Sequence, residues 1–184
     1  MKGWADIDAL AQFGKTLKTG PVPGLYLLAG EDVFTREQAC RMIVDAAASM
    51  APGGLDRTVL YGDEATPEAI LAAVGTGSLF GDQRLVVVRG FDRIPAAGQD
   101  QLVPLLTSLP AGVTAVLMCA GIDRKRKAMQ ALVRAARLVA CDPPPPGSLP
   151  QWVMQRAREL GMMMQPDAVQ SLLDFAGSDL QVLY

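Results

Sequence analysis

The sequence predicts an α/β protein in two parts. Residues 1–142 read as a mostly parallel sheet covered by helices on both faces, and residues 143–184 as the start of a small helical domain. Three observations predict it. Short apolar runs alternate through the first part with segments whose apolar residues recur at helical spacing, the pattern of strands joined by crossover helices. Pro143–Pro146, four prolines in a row, then stop the alternation, because neither a helix interior nor an inner strand accepts them. Beyond them only helical patterns occur.

Taken in order, Ile7, Leu10, Ala11 and Leu17 mark a short helix over 7–18, with Lys15 and Lys18 near its end and Gly20 as its stop. Leu25–Ala29 is the first buried strand, and Gly30-Glu31-Asp32 turns the chain. A helix to about Ser49 carries Cys40, Ile43, Val44 and Ala47 on one face and Glu37, Arg41 and Asp45 on the other. Its start is marked either by a Thr35/Gln38 capping box or by Asp32 one turn earlier. Arg57–Tyr61 is the second strand. Thr66-Pro67 opens the next helix, threonine as N-cap and proline at the first helical position, and Ile70, Ala73 and Val74 face inward before Gly75 and Gly77 end it.

Arg84–Arg89 is the third strand. Leu102, Leu105, Leu106 and Leu109 give a helix face in which Pro104 belongs to the first turn or makes a kink. Val113–Met118 is the fourth strand, 124–136 a helix with Met129, Leu132 and Val133 inside, and Leu138–Ala140 a short fifth strand. In the second part, 148–160 and 166–176 are helices stopped by Gly161 and Gly177. Ser148/Gln151 and Ser178/Gln181 match the capping-box spacing. The last match opens a helix with six residues left, marginal without support, so the chain is expected to be part of a longer protein.

Composition excludes several kinds of chemistry. The 184 residues are 50% hydrophobic and carry a net charge of −2, enough for a sizeable core and no overall electrostatic partner. There is no histidine, which removes imidazole bases and every zinc site that needs one. Cys40, Cys119 and Cys141 are odd in number, have no CxxC spacing and sit in apolar contexts, so reduced, buried thiols are expected rather than a disulfide or a metal site. The acidic N-terminus is no signal peptide, and no apolar run reaches the ~20 residues of a membrane span; a soluble, cytoplasmic protein is expected.

Phosphate-binding motifs are absent from the places that need them. Gly14-Lys15-Thr16 ends like a phosphate loop, but Ala9 stands where the opening glycine belongs, and the tripeptide lies in a helix before the first strand instead of between a strand and a helix. Gly75-x-Gly77-xxx-Gly81 has one residue too many for a dinucleotide fingerprint and precedes a strand. The turn after the first strand, Gly30–Arg36, holds one glycine, two acids and no lysine, and carboxylates there repel phosphate. The third strand ends in Arg89-Gly90-Phe91-Asp92, where metal-assisted hydrolysis would need an acidic pair; a lone Asp92 reads as a turn former. No catalytic residue, metal ligand or cofactor site follows.

Two stretches remain as candidate binding sites. Arg124-Lys125-Arg126-Lys127 is the densest basic run. It is either a solvated first helical turn capped by Asp123 or a phosphate contact. In Gly75–Arg89, Leu79 and Phe80 stand between Gly77-Ser78 and Gly81-Asp82, ahead of the third strand. Buried, the pair is ordinary core; exposed, it is an apolar knob for a partner. Spacing alone favours burial.

The stretches LYLLAGEDVFTREQA, GTGSLFGDQRLVVVR, IDRKRKAMQALV and LPQWVMQRARELGMMMQPDAVQSLLDFAGSDLQVLY, in this order, resemble the delta subunit of the bacterial DNA polymerase III clamp loader over nearly the whole chain. The resemblance implies a nucleotide-binding-type (AAA+/RecA-like) domain without a phosphate loop, a small helical second domain, and a helical collar domain that this chain lacks. It implies that Leu79 and Phe80, framed by Gly77 and Ser78, form the wedge that binds the sliding clamp (the beta subunit) and helps open its ring, which reverses the preference for burial. It implies the other clamp-loader subunits as partners, primed DNA through the assembled loader, Arg124–Lys127 as a DNA or subunit contact, and no membrane. ATP is then bound by sister subunits. The chain itself is expected to be a non-catalytic subunit of an enzyme filed as a DNA-directed DNA polymerase, a nucleotidyltransferase. The competing readings are a nucleoside triphosphatase using Lys15 or the Gly30 turn, and a direct DNA-binding module using the basic run.

Overall fold

The computed structural model describes residues 9–19, 24–75 and 83–183. Five strands, β1 (Gly24–Ala29), β2 (Leu55–Tyr61), β3 (Gln83–Arg89), β4 (Val113–Cys119) and β5 (Arg137–Ala140), form one parallel sheet in the order β2-β3-β4-β1-β5. The three inner strands are apolar runs because both of their faces are covered. Side chains alternate between the faces with the strand period of two. Leu25, Leu27, Val86, Val88, Ala115 and Leu117 pack on one side. Tyr26, Leu28, Leu85, Val87, Val116 and Met118 pack on the other.

Helices α3 (Pro67–Gly75), α4 (Ala96–Leu106) and α5 (Lys127–Ala135) cover the first face through Ile70, Val74, Leu102, Leu106, Met129 and Leu132. Helices α1 (Ala9–Thr19) and α2 (Val33–Ser49) cover the second through Leu17, Ala39, Cys40, Ile43 and Ala47. All three cysteines are buried and free, as their surroundings in the sequence predict. Burial pushes the Cys40 thiol up to about 11, and those of Cys119 and Cys141 up to about 12, because a thiolate there would lose its solvation.

After β5 the chain runs through the prolines to α6 (Leu149–Glu159), α7 (Pro166–Ala176) and α8 (Leu180–Leu183). These helices share their own core around Leu149, Val153, Val169, Leu180 and Leu183, joined from the first part by Phe34. Among the described residues, no helix is long and apolar enough to cross a membrane.

Of the two starts the sequence leaves open for α2, Asp32 is the one used: its carboxylate accepts the Thr35 N–H at 2.7 Å. Several other local expectations are corrected. Helix α4 starts at Ala96, so Pro104 falls in its last turn, not its first, and Leu109 lies past its end while still packing on the core. There the proline's missing N–H deprives only the Asp100 carbonyl of a partner. Ser148 makes no cap; its hydroxyl donates to the Pro145 carbonyl at 2.8 Å. In α8 the Asp179 carbonyl accepts the first helical bond, from Leu183 N–H at 3.1 Å, which puts the N-cap one residue after Ser178. The Thr66 cap holds, its hydroxyl oxygen accepting the Ala69 N–H at 3.2 Å.

Candidate functional site

In an open parallel sheet, ligands bind beyond the carboxyl ends of the strands, where neighbouring strands send their connections to opposite faces. Here that point lies between β1, which leads to α2 on one face, and β4, which leads to α5 on the other. The turn after β1 is tied instead to the residue that follows β5, on the other side of β1. Gly30 has φ +153°, and a Cβ on it would lie 2.1 Å from the Cys141 carbonyl carbon. The Asp32 N–H donates to the Cys141 carbonyl at 2.8 Å, and the Cys141 N–H to the Ala29 carbonyl at 2.7 Å. Arg36 turns back to donate to the Gly30 carbonyl.

The electrostatics also oppose a bound phosphate. A helix N-terminus favours an anion, and that of α2 already has one in the Asp32 carboxylate. Across the crevice Arg89, the last residue of β3, makes a two-pronged ion pair with Glu37 of α2, with Nη2 at 2.8 Å from Oε2. Donating to the Glu37 carboxylate raises the Arg89 pKa further. A cation thus stands at the strand end, and an acid on the facing helix. This polarity is the reverse of what a magnesium nucleotide needs from a strand-end acid and a cation in the first turn. Among the described residues, no group of three or more metal-ligating side chains comes together. Lys15 and Thr16 lie inside α1, with the Thr16 hydroxyl donating to the Phe13 carbonyl at 2.7 Å. Asp92 does more than form a turn: its carboxylate accepts the Ala120 N–H at 3.1 Å and ties the β3 exit to the β4 exit.

The basic run divides. Helix α5 begins at Lys127, so Arg124, Lys125 and Arg126 precede it rather than forming its first turn. Asp123 closes a local turn, its carboxylate accepting the Lys125 N–H at 3.0 Å, as a short Asx side chain does two residues on. Arg126 points inward. It donates to the side-chain oxygen of buried Gln99 at 2.5 Å, to the Ala96 carbonyl at 2.7 Å and to Asp100. Gln99 in turn donates to the Phe91 and Ile94 carbonyls at 3.1 and 2.9 Å. Nothing in the sequence marks Arg126 apart from its neighbours, since its partners are about 30 residues away in α4. A cavity of about 380 Å³ opens beside this network, its lining including Leu27, Leu132, Asp92, Asp123 and Arg126. Asp92 and Asp123 already accept backbone N–H groups, and Arg126 is held by α4.

Gly77, Ser78, Leu79 and Phe80 lie outside the described residues. The residues on either side, Gly75 and Gln83, end α3 and begin β3. Gln83 is therefore at the edge where the parallel strands start, and Arg124 follows β4 at the edge where they finish. One strand length, about 20 Å for seven residues, separates the two edges.

Two solved structures have similar architecture. The DNA clamp loader delta protein of Bacillus subtilis matches with a TM-score of 0.69 at 16% identity, over 95% of this chain and 54% of that one. Domain III of the Thermotoga maritima replication initiation protein DnaA matches with a TM-score of 0.59 at 10% identity, over 99% of this chain and 81% of that one. These likenesses show an AAA+-like fold, and the chain spans about half the length of the Bacillus subtilis protein. No curated protein sequence matches. The family model described as "DNA polymerase III, delta subunit" matches residues 26–142, from within β1 to just past β5. The chain belongs to the DNA polymerase III delta subunit family.

Proposed function

We propose that this chain is the clamp-binding part of a clamp-loader delta subunit: it binds the sliding clamp and helps open its ring during DNA replication in the cytoplasm, without catalysing a reaction itself. The observation that carries the reading is the family match over residues 26–142. The Asp32 carboxylate at the α2 N-terminus, the close approach at Gly30 and the Glu37–Arg89 pair support it, because a subunit of this kind works by contact rather than by turnover of its own nucleotide. In this reading Leu79 and Phe80, with Gly77 and Ser78 as their frame, enter a pocket on the clamp. The chain divides into a clamp-binding domain over 1–142 and a helical domain from 143. Other loader subunits are its neighbours, and primed DNA is reached through the assembled loader. Lys125 and Lys127, with Arg124, give a secondary contact to DNA or to a neighbouring subunit. Arg126 has a structural task instead.

The test is binding to the sliding clamp of the same organism, with melting temperature measured on the same samples. The parent chain co-elutes with the clamp. The double variant Leu79→Ala, Phe80→Ala melts like the parent and does not bind. A destabilised double variant whose folded fraction binds normally would show the pair to be core and remove the wedge from the reading. Failure of the parent to bind would remove the clamp itself.

A further inference from the structure

The turn between β1 and α2 has the position of a phosphate-binding turn, yet its contacts run to the chain beyond β5. The Cys141 backbone bonds to both Ala29 and Asp32, closing the turn on the last residues before the prolines. One helical residue past Asp32 and Val33 stands Phe34, 8% exposed. Among the described residues it is the one member of the helical core that comes from before residue 149. Its ring meets Trp152 edge to face, with centroids 6.2 Å apart and planes at 80°, a favoured aromatic geometry. Leu149 and Val153 belong to the same cluster. The neighbouring Val33 is half exposed, whereas Phe34 and Thr35 are buried, and of these Phe34 alone belongs to the helical core.

We propose that Phe34, carried on the rigid Gly30–Asp32 turn, is a fixed joint that seats the helical segment 149–183 on the sheet domain. The Asp32 cap holds α2 so that its second residue projects away from the sheet. The Cys141 bonds bring the departing chain to the same point. The proline run adds stiffness to the connection. No member of the joint depends on a bound ligand, so the segment keeps one orientation whether or not nucleotide is present. The joint stands independently of clamp binding.

The experiment uses the 184-residue chain with Trp4→Phe, which leaves Trp152 as the one tryptophan, and adds Phe34→Ala or Phe34→Leu. Trp152 emission and thermolysin cleavage beyond Asp142 are followed together. With Phe34→Ala the emission shifts to the red and cleavage is faster by at least about tenfold, since cleavage of a transiently open segment follows the open population. A fragment ending near Asp142 survives. Phe34→Leu keeps most of the apolar contact and stays close to the parent. Unchanged emission and cleavage in Phe34→Ala would overturn the joint. So would loss of protection throughout 24–142, which would make Phe34 part of the sheet domain's own core.

Discussion

At the scale of single residues, identical side chains do different work according to what faces them. Arg126→Ala leaves the buried Gln99 oxygen without its donor and frees the α4 carbonyl at Ala96. It should lower stability by about 1–3 kcal/mol, whereas Lys125→Ala, at an exposed position, should stay within about 0.5 kcal/mol. Denaturant melts of the two variants check this. Removing Leu79 and Phe80 together should act on binding instead. Burying each in a partner is worth roughly 1.5–3 kcal/mol, so the double variant should lose at least ~100-fold in clamp affinity, at about 1.4 kcal/mol per tenfold, read by titration. The thiols give a pH dependence. Their folded pKa values, about 11 for Cys40 and about 12 for Cys119 and Cys141, lie above the ordinary 9.0. The native state therefore holds protons that the unfolded chain releases. Their contribution is present in full below about pH 9 and is lost as pH rises toward 11–12. Melting temperature should decline over that window, and less steeply in a variant with Cys119→Ala.

At the scale of elements, the β1–α2 turn carries the most consequence. A side chain at Gly30 would meet both a backbone collision at 2.1 Å and a φ of +153°. Gly30→Ala should therefore cost roughly 2–6 kcal/mol, overpacking and backbone strain together. At Gly53 a Cβ meets nothing within 4 Å and the φ is unstrained, so Gly53→Ala should be neutral or stabilise by about 0.4–1 kcal/mol. Thermal unfolding of both on one instrument makes the contrast. At the same turn the Asp32 carboxylate takes the helix end, and Glu37 and Arg89 take each other.

At the scale of the whole molecule, the edge of the sheet where the strands finish is bound up in internal contacts, through Gly30, Arg89, Asp92 and Arg126. Magnesium ATP should accordingly leave the melting temperature unchanged. A ligand bound at a hundred times its dissociation constant would add about 2.7 kcal/mol, an increment a thermal melt reads directly. The helical segment, joined through Phe34, should respond to nucleotide no more than the sheet does.

What the sequence by itself determined was the kind and order of the elements, while several of their caps and boundaries were not legible in it. The alternation of apolar runs with helical faces, the Thr66-Pro67 start and the Gly177 stop appear as read, because each depends on residues within a turn or two of one another. The missing phosphate loop was equally legible, as a list of absent residue types. The tertiary structure decided what depends on residues far apart in the chain. Arg89 pairs with Glu37 across 52 positions, Arg126 with Gln99 across 27, and Phe34 joins a cluster that begins at Leu149. A charge or a phenyl ring in a sequence does not carry the address of its partner; only the register of the parallel strands and the packing of helices across them supply it.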